Sequence, residues 1–217
     1  MQGQEKRVNG AGFLAIWSDV RIEQETDYLH WLTREHTSER LSVDGFLRVR
    51  VYRSLDASVR RYFIHYELQS PEVVGSAAYL ARLNTPTPWS QRIMPMLGNF
   101  VRGGGRVLAR AGIGEGAFLA AIKLDDLAPI AGPALVANIV TEDRIVAAVL
   151  LETDEEQSSI KTREKSLREH DRSFAGLLLV EGLDDASVAA SIARLGFPAT
   201  DNIYAQVFQL FPQGAQT

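Results

Sequence analysis

An amphipathic helix near the start of the chain carries ionisable residues on its apolar face. The segment 31–41, WLTREHTSERL, continues an acidic stretch that suits a helix N-terminus. At about 100° per residue, the apolar stripe centres on Tyr28 and Leu32. Glu35, His36 and Glu39 fall on or beside that stripe, and Thr33, Thr37 and His30 fall opposite. Because burying an unpaired charge is costly, such residues are usually paired, hydrated or functional. We therefore expect the functional site on this helix.

The residues at the centre of this helix suit proton transfer. His36 is the predicted acid or base and Glu35 its orienting carboxylate, because imidazole titrates near neutral pH and a carboxylate fixes its tautomer. Arg40 or Arg48 would hold the acidic group of a substrate through charge-assisted hydrogen bonds. The sequence also fits a structural interpretation. In that case the carboxylates of the helix pair with Arg48 or Arg50, and His36 packs at the helix end.

Further ligand-binding candidates lie on the two strands that follow and in a proline-rich loop. Arg48 alternates with apolar residues, and His65 shares a strand face with Glu67. This group fits either a site for a carboxylate or phenolate or a polar network between strands. Trp89, in the loop 86–90, is a candidate lid, with ordinary packing as the alternative. The predicted ligand-binding residues are Trp31, Glu39, Arg40, Arg48, His65 and Trp89.

The sequence predicts neither a metal nor a nucleotide cofactor. His36 and His65 with the nearby carboxylates are metal-ligating types, but the chain contains no HxH or HxxxH spacing. The glycines at 103–105 lack the Lys-Ser/Thr ending of a phosphate loop, and those at 112–116 precede a predicted strand instead of a helix. Both glycine runs are therefore interpreted as linkers that bind no ligand.

The composition is that of an ordinary globular protein. The 217 residues are 46% hydrophobic and 23% charged, carry a net charge of −4 and include no cysteine. The lack of a basic surplus argues against a nucleic-acid partner. The N-terminus has no apolar core of a signal peptide, and the most apolar stretch, 145–151, is too short to cross a membrane. A cytoplasmic protein without a membrane partner is expected.

The element pattern predicts an α+β protein with two tandem ferredoxin-like repeats. The order β-α-β-β-α-β occurs over residues 1–112 and again, less regularly, over 113–217. Each repeat would form a four-stranded antiparallel sheet with two helices on one face. Packing the two bare faces together would give a barrel-like pseudo-dimer. The alternative is that these faces pair with a second chain, which would make the protein a homodimer.

The motif Trp31-x-x-x-Glu35-His36-x-x-Glu39-Arg40-Leu41, followed by Gly45-Phe46, resembles the first-helix pattern of EthD-like proteins. Together with the element order, it resembles the dimeric α+β barrel superfamily in a fused form, a group that includes antibiotic-biosynthesis-type monooxygenases. The resemblance implies a pocket between helices and sheet, with Glu35 and His36 facing inward. The first helix of the second repeat, 130–140, has no His, Glu or Arg at the matching positions. The second half is therefore expected to be structural.

These observations predict a small-molecule enzyme that uses general acid/base chemistry on a small hydrophobic or aromatic acid. His36 and Glu35 would be its catalytic residues. The alternative is a non-catalytic ligand-binding or assembly protein, in which the same helix carries a structural ion-pair network. A pocket bordered by both residues would favour the enzyme.

Overall fold

The computed structural model describes residues 10–128, 132–168, 172–199 and 201–213. The strands are β1 (Gly12–Asp19), β2 (Phe46–Ser54), β3 (Arg61–Leu68), β4 (Gly98–Gly112), β5 (Phe118–Leu124), β6 (Ile145–Thr153), β7 (Gly176–Gly182) and β8 (Ile203–Leu210). Most strands alternate side chains between two buried faces, and this explains their richness in apolar residues on both sides.

The strands form one closed antiparallel barrel in the order β1-β3-β2-β8-β5-β7-β6-β4. The predicted fold class, two tandem ferredoxin-like repeats packed through their bare faces, is therefore wrong. The sheet runs on through hydrogen-bonded pairing of β2 with β8 and of β4 with β6. The physical reason is that strand edges carry unpaired N–H and C=O groups, which closure satisfies. The alternation of residue types along a strand indicates which of its faces are buried. It does not indicate which strands pair along their edges.

The predicted division into residues 1–112 and 113–217 stays a prediction. The barrel is continuous across that boundary, because the 15-residue strand β4 pairs with β1 along its first part and with β6 along its second. The register shifts between Val107 and Ala109, so this long strand changes neighbours at an irregularity.

Short helices cover the outside of the barrel. They are α1 (Glu25–Trp31), a π-helical segment (Leu32–His36), α2 (Thr37–Leu41), α3 (Ala77–Asn84), α4 (Pro88–Ile93), α5 (Gly132–Ile139), α6 (Glu155–Ser159), α7 (Arg163–Ser166) and α8 (Asp185–Arg194), with 3₁₀ turns at Ile22–Gln24, Pro71–Gly75 and Met94–Met96. In the described residues no helix combines the length and apolarity needed to span a bilayer.

Three apolar layers follow from the two faces of the strands. One fills the barrel and includes Trp17 and Phe63, and a second lies under α1 to α4 and includes Trp31 and Tyr66. A third lies under α5 and α8. The cavity described below opens within the second layer, between helices and sheet.

One end of the barrel interior is charged. Arg50 on β2 forms a two-bond ion pair with Glu181 on β7, at 2.7 and 2.9 Å, and both side chains are almost fully buried. Arg48 donates to Glu67 at 2.6 Å. The backbone N–H of Gly116 also donates to Glu181. The Arg50–Glu181 pair joins strands from the two halves of the chain, so it stabilises the closed barrel and not either half alone.

We expect Glu181→Gln to destabilise the barrel strongly, because it leaves the buried Arg50 guanidinium with only the more distant carboxylate of Glu67, 3.9 Å away and already bonded to Arg48. Removing one partner of a buried pair costs about 3 to 5 kcal/mol. Urea unfolding measures this loss. The control is Glu152→Gln, which breaks the exposed pair with Arg106 and should cost less than about 1 kcal/mol. Equal losses in the two variants would contradict a stabilising role for the interior pair.

Candidate functional site

The first long helix is interrupted by a π-helical segment, Leu32–His36. The Thr37 hydroxyl donates to the Leu32 carbonyl at 2.9 Å, five residues back, which accommodates the wider turn. A π turn contains an extra residue and so rotates everything after it around the helix axis. His36, Thr37 and Arg40 are consequently buried. The prediction that Thr37 lies opposite the buried face is wrong, because it assumed a regular helical period.

A cavity lies between this helix and the sheet. Its lining includes Trp31, His36 and Arg40 from the helix, with Tyr66 from β3. The other lining residues are Leu14, Ile16, Ser18, Tyr28, Ile64, Tyr79, Met94, Leu97, Phe100, Arg102, Glu164 and Arg168. The centre of a water molecule can occupy about 20 Å³ of this cavity. That is room for about one water, so a larger ligand needs an opening movement.

His36 is held neutral inside this cavity. It is 4% exposed, and its ring lies 4.1 Å from the Trp31 ring, centroid to centroid. Burial lowers the His36 pKa well below its ordinary value, and Arg40 and Arg168 lower the pKa further by charge repulsion. Its Nδ1 atom is buried and makes no hydrogen bond to a described residue. A neutral imidazole with an unused nitrogen can accept a proton from a bound molecule.

The cavity has more positive than negative lining groups. Arg40, Arg102 and Arg168 line it, and Glu164 is the one acidic residue of the lining in the part of the chain that the structure describes. Arg40 donates to Glu164 and is 2% exposed. The Tyr66 hydroxyl is buried without a hydrogen-bond partner among the described residues. Excess cations with an unpaired donor favour an anionic ligand group.

Glu35 does not line the cavity and forms no hydrogen bond with His36. It accepts a hydrogen bond from the Thr87 hydroxyl at 2.6 Å. Because Thr87 gives its single proton to Glu35, the Ser90 hydroxyl, 3.0 Å away, donates to Thr87. Ser90 in turn accepts from the Trp31 indole at 3.1 Å. Glu35 is thus connected to the indole on which His36 stacks, and not to His36 itself.

Glu39 does not line the cavity but pairs with Arg40, which does. It is half-buried, with one oxygen 3.4 Å from Arg40 Nη1. Burial raises the pKa of Glu39, Arg40 lowers it and Glu164 raises it, with a net upward shift. Glu39 therefore forms an ion pair with Arg40, whereas His36 lines the cavity itself.

The predicted cluster of Arg48 and His65 lies on the opposite face of the sheet, inside the barrel. Arg48 bonds to Glu67 and to Glu115, as in the polar-network interpretation. Both ring nitrogens of His65 are buried without hydrogen bonds to described residues, and burial followed by repulsion from Arg50 lowers the His65 pKa to about 3. Since successive strand residues point to opposite faces, these residues cannot join His36 in one cavity.

Trp89 lies on α4 and outside the cavity lining. Its indole donates to Asp27 at 3.1 Å, and the Arg92 guanidinium is 5.8 Å from its ring. Asp27 also accepts hydrogen bonds from Arg92. These contacts fasten α4 to α1, so Trp89 helps to hold the segment that covers Trp31.

Sequence reasoning missed the contribution of the second half of the chain. Glu164 and Arg168 come from the charged segment 154–173, whose composition predicts an exposed loop or short helix. Their side chains are nevertheless only 8% and 3% exposed. Their i, i+4 spacing around Leu167, itself packed on the apolar layer, was the available signal. The second half is therefore part of the cavity. His170, assigned to the same charged run, lies outside the described residues.

A metal site is not formed by the residues described. Among them, no group of three or more His, Cys, Asp or Glu side chains lies close enough to hold an ion. His36 and His65, which the sequence offered as ligand types, are separated by the sheet.

Acid should destabilise the protein through His36 and His65, the two buried histidines among the described residues. Both have folded-state pKa values below the ordinary value near 6.5, so the unfolded chain binds more protons once the pH falls below about 6.5. The free energy of unfolding should fall from there by up to about 1.4 kcal/mol per pH unit for each histidine. Urea unfolding between about pH 7.5 and 5 measures the slope.

The variant His65→Gln should roughly halve this slope, because it removes one of the two proton-binding groups. His30→Gln changes a histidine outside both buried sites and serves as the control, with the wild-type slope expected. A slope that His65→Gln leaves unchanged contradicts the assignment.

Thr87→Val should loosen the indole of Trp31, because valine can neither donate to Glu35 nor accept from Ser90. The Trp31 indole N–H resonance should shift or broaden, with that of Trp17 as reference. Stability should fall by about 1 to 3 kcal/mol, since buried partners lose hydrogen bonds. Thr87→Ser keeps the hydroxyl and should restore both readouts. If the valine variant leaves the Trp31 signal unchanged, the connection does not hold the indole.

Comparisons with known proteins give the fold. No protein-family model and no curated protein matches this sequence. An anthrone oxidase-like protein of known structure is 10% identical, with a TM-score of 0.56 and 95% of each chain covered. A putative monooxygenase from Fusobacterium nucleatum is 14% identical, with a TM-score of 0.52, 93% of this chain and 95% of the other covered.

A putative chlorite dismutase has 11% identity and a TM-score of 0.51, covering 92% of this chain and 96% of the other. At these identities the likeness shows the fold alone. The likeness of fold extends over nearly the whole of each chain.

Proposed function

We propose that this protein is a small-molecule enzyme in which neutral His36 removes a proton from an acidic, planar aromatic substrate. The observation that carries the proposal is the enclosed His36 ring, neutral and with an unpartnered Nδ1, in a cavity that also contains Arg40 and Arg168. An uncharged base beside fixed cations suits deprotonation, because the cations stabilise the anion that forms.

The arginines act on both products of the proton transfer. They disfavour the imidazolium, as the lowered His36 pKa shows, and they favour the substrate anion. A bound anion next to His36 offsets that repulsion, so the pKa of His36 rises when the substrate ionises. Arg40, held between Glu39 and Glu164, is the proposed anchor of the anionic oxygen.

The other predicted site residues take supporting roles in this proposal. Trp31 forms a flat wall that suits an aromatic ring, and Glu35 is a positioning residue that fixes this wall through Thr87 and Ser90. Trp89 holds α4 as part of the cover that must open for the substrate. Inside the barrel, Arg48 and His65 are assigned to stability. The cytoplasmic location and the homodimer stay predictions.

The names of the structural neighbours suggest a first test compound. One is described as anthrone oxidase-like and another as a putative monooxygenase. Anthrone is planar and apolar, and its methylene protons are acidic because the resulting carbanion is a delocalised enolate. These properties match a neutral base, an aromatic wall and an arginine near the developing oxyanion.

The test is the rate of deuterium incorporation into the anthrone methylene in D₂O, followed by ¹H NMR without oxygen. His36→Gln should lower the enzyme-dependent rate by about 10²-fold or more, the usual contribution of a general base. His30→Gln, on the same helix but away from the cavity, is the matched control and should keep the wild-type rate. If the His36→Gln variant exchanges deuterium at the wild-type rate, His36 is not the base.

One observation favours a second function, a binding protein without catalysis. Arg40 is already occupied by Glu164 in the closed cavity, as a structural ion pair would be. The same experiment distinguishes the two. A ligand that shifts the Trp31 indole resonance without any methylene exchange in wild type would support binding alone.

A further inference from the structure

A second, open cavity lies at one mouth of the barrel, at the opposite end from the Arg50–Glu181 pair. Water centres can occupy about 430 Å³ of it. It is lined by Trp17, Arg61, Asn99, Val101, Lys123, Asp125, Arg172, Ser173, Phe174 and Asp201. The sheet separates it from His36, because these residues belong to the inward faces or to the ends of the strands. The mouth therefore needs an explanation of its own.

The floor of this mouth is apolar and aromatic. Trp17 is 1% exposed, and the Phe174 ring stands edge-on to it with centroids 5.4 Å apart. Val101 completes the floor from β4. The Lys123 ammonium lies 4.6 Å from the centroid of the Trp17 ring, at the exposed side. An aromatic floor below cations can take the apolar body of a small molecule.

Three cations converge above the floor. Arg61 is satisfied, because it makes two hydrogen bonds to Asp19, which also accepts from Asn99. Lys123 and Arg172 form no ion pair with any residue that the structure describes. The backbone of Arg172 is hydrogen-bonded to β4 on both sides, to Phe100 and Arg102, so the position of this residue at the mouth is fixed.

The cations repel one another. The pKa of Lys123 is lowered by partial desolvation and then by Arg61 and Arg172, and these effects exceed the opposite influence of Asp201 and Asp19. The numbers of acidic and basic groups around the mouth are balanced once Asp19 is included, but Lys123 and Arg172 make no ion pair with a described residue, so an anion that contacts both gains charge-assisted hydrogen bonds.

We propose that the barrel mouth binds a small organic carboxylate, with Lys123 and Arg172 contacting the carboxylate and the Trp17–Phe174 floor contacting the apolar body. The two acidic residues at the mouth, Asp125 and Asp201, disfavour a second negative charge, so a monoanion binds better than a phosphate dianion. This site does not depend on the function of the His36 cavity.

The three tryptophans allow a site-resolved test by NMR. The indole N–H of Trp17 reports the mouth, that of Trp31 the His36 cavity, and that of Trp89 the outer surface. Benzoate is titrated against wild type at constant ionic strength, with inorganic phosphate and chloride as the other anions. We expect a saturable shift of the Trp17 signal with benzoate, and weaker binding of phosphate.

Lys123→Gln and Arg172→Gln should each weaken benzoate binding by about fivefold, the effect of losing one exposed charge contact. Arg106→Gln, which removes an exposed arginine outside the mouth, is the matched control and should keep the wild-type affinity. A Trp17 shift that does not saturate, that chloride reproduces, or that Lys123→Gln leaves unchanged overturns the proposal. A saturable shift of the Trp31 signal alone also overturns the proposal, because benzoate would then bind in the His36 cavity.

Discussion

Closure of the barrel is the constraint on which the other features depend. Each strand is hydrogen-bonded on both edges, so inward side chains can reach water only at the ends of the barrel. Charges buried away from an open end must be balanced inside, as Arg50 and Glu181 balance each other across the barrel. The same closure connects strands from both halves of the chain through β2–β8 and β4–β6. The first half alone could not supply the two hydrogen bonds that the buried Arg50 guanidinium makes, because their acceptor Glu181 lies in the second half.

The His36 cavity uses the same connection between the halves. Arg40 is buried on the first helix, and its carboxylate partner Glu164 lies on α7, beyond β6. The backbone N–H of Arg163 donates to the Asn84 side chain at the end of α3, which holds α7 beside the cavity. A buried guanidinium without a carboxylate would be costly. The segment that brings Glu164 therefore belongs to the site as much as the first helix does.

The sequence predicted that the first helix carries ionisable residues on its apolar face, and the structure buries His36 and Arg40 of that helix. This feature is visible in a single chain, whereas the role of these residues stays a prediction. The sequence also predicted that Arg48 and Arg50 share one strand face, since strand alternation has a period of two residues. The sequence could not predict the π-helical segment, because a helical wheel assumes one constant period along the helix. This segment turns Thr37 and Arg40 inward. Nor could the sequence identify Glu164 as the partner of Arg40, 124 residues away, because that contact exists only once the barrel closes.

The enclosed state of the cavity constrains the charge of any substrate. Its lining has three arginines and one glutamate, and His36 is neutral. A substrate that enters as a neutral acid avoids the desolvation of a free anion, which is the larger cost in a nearly dry space. Proton transfer to His36 then separates charge inside the cavity without changing its total. Arg40 and Arg168 are already in place to stabilise the anion, so little reorganisation is needed at that step. The proposed proton acceptor and the proposed anion anchor need to share one enclosed space, and His36 and Arg40 line the same cavity.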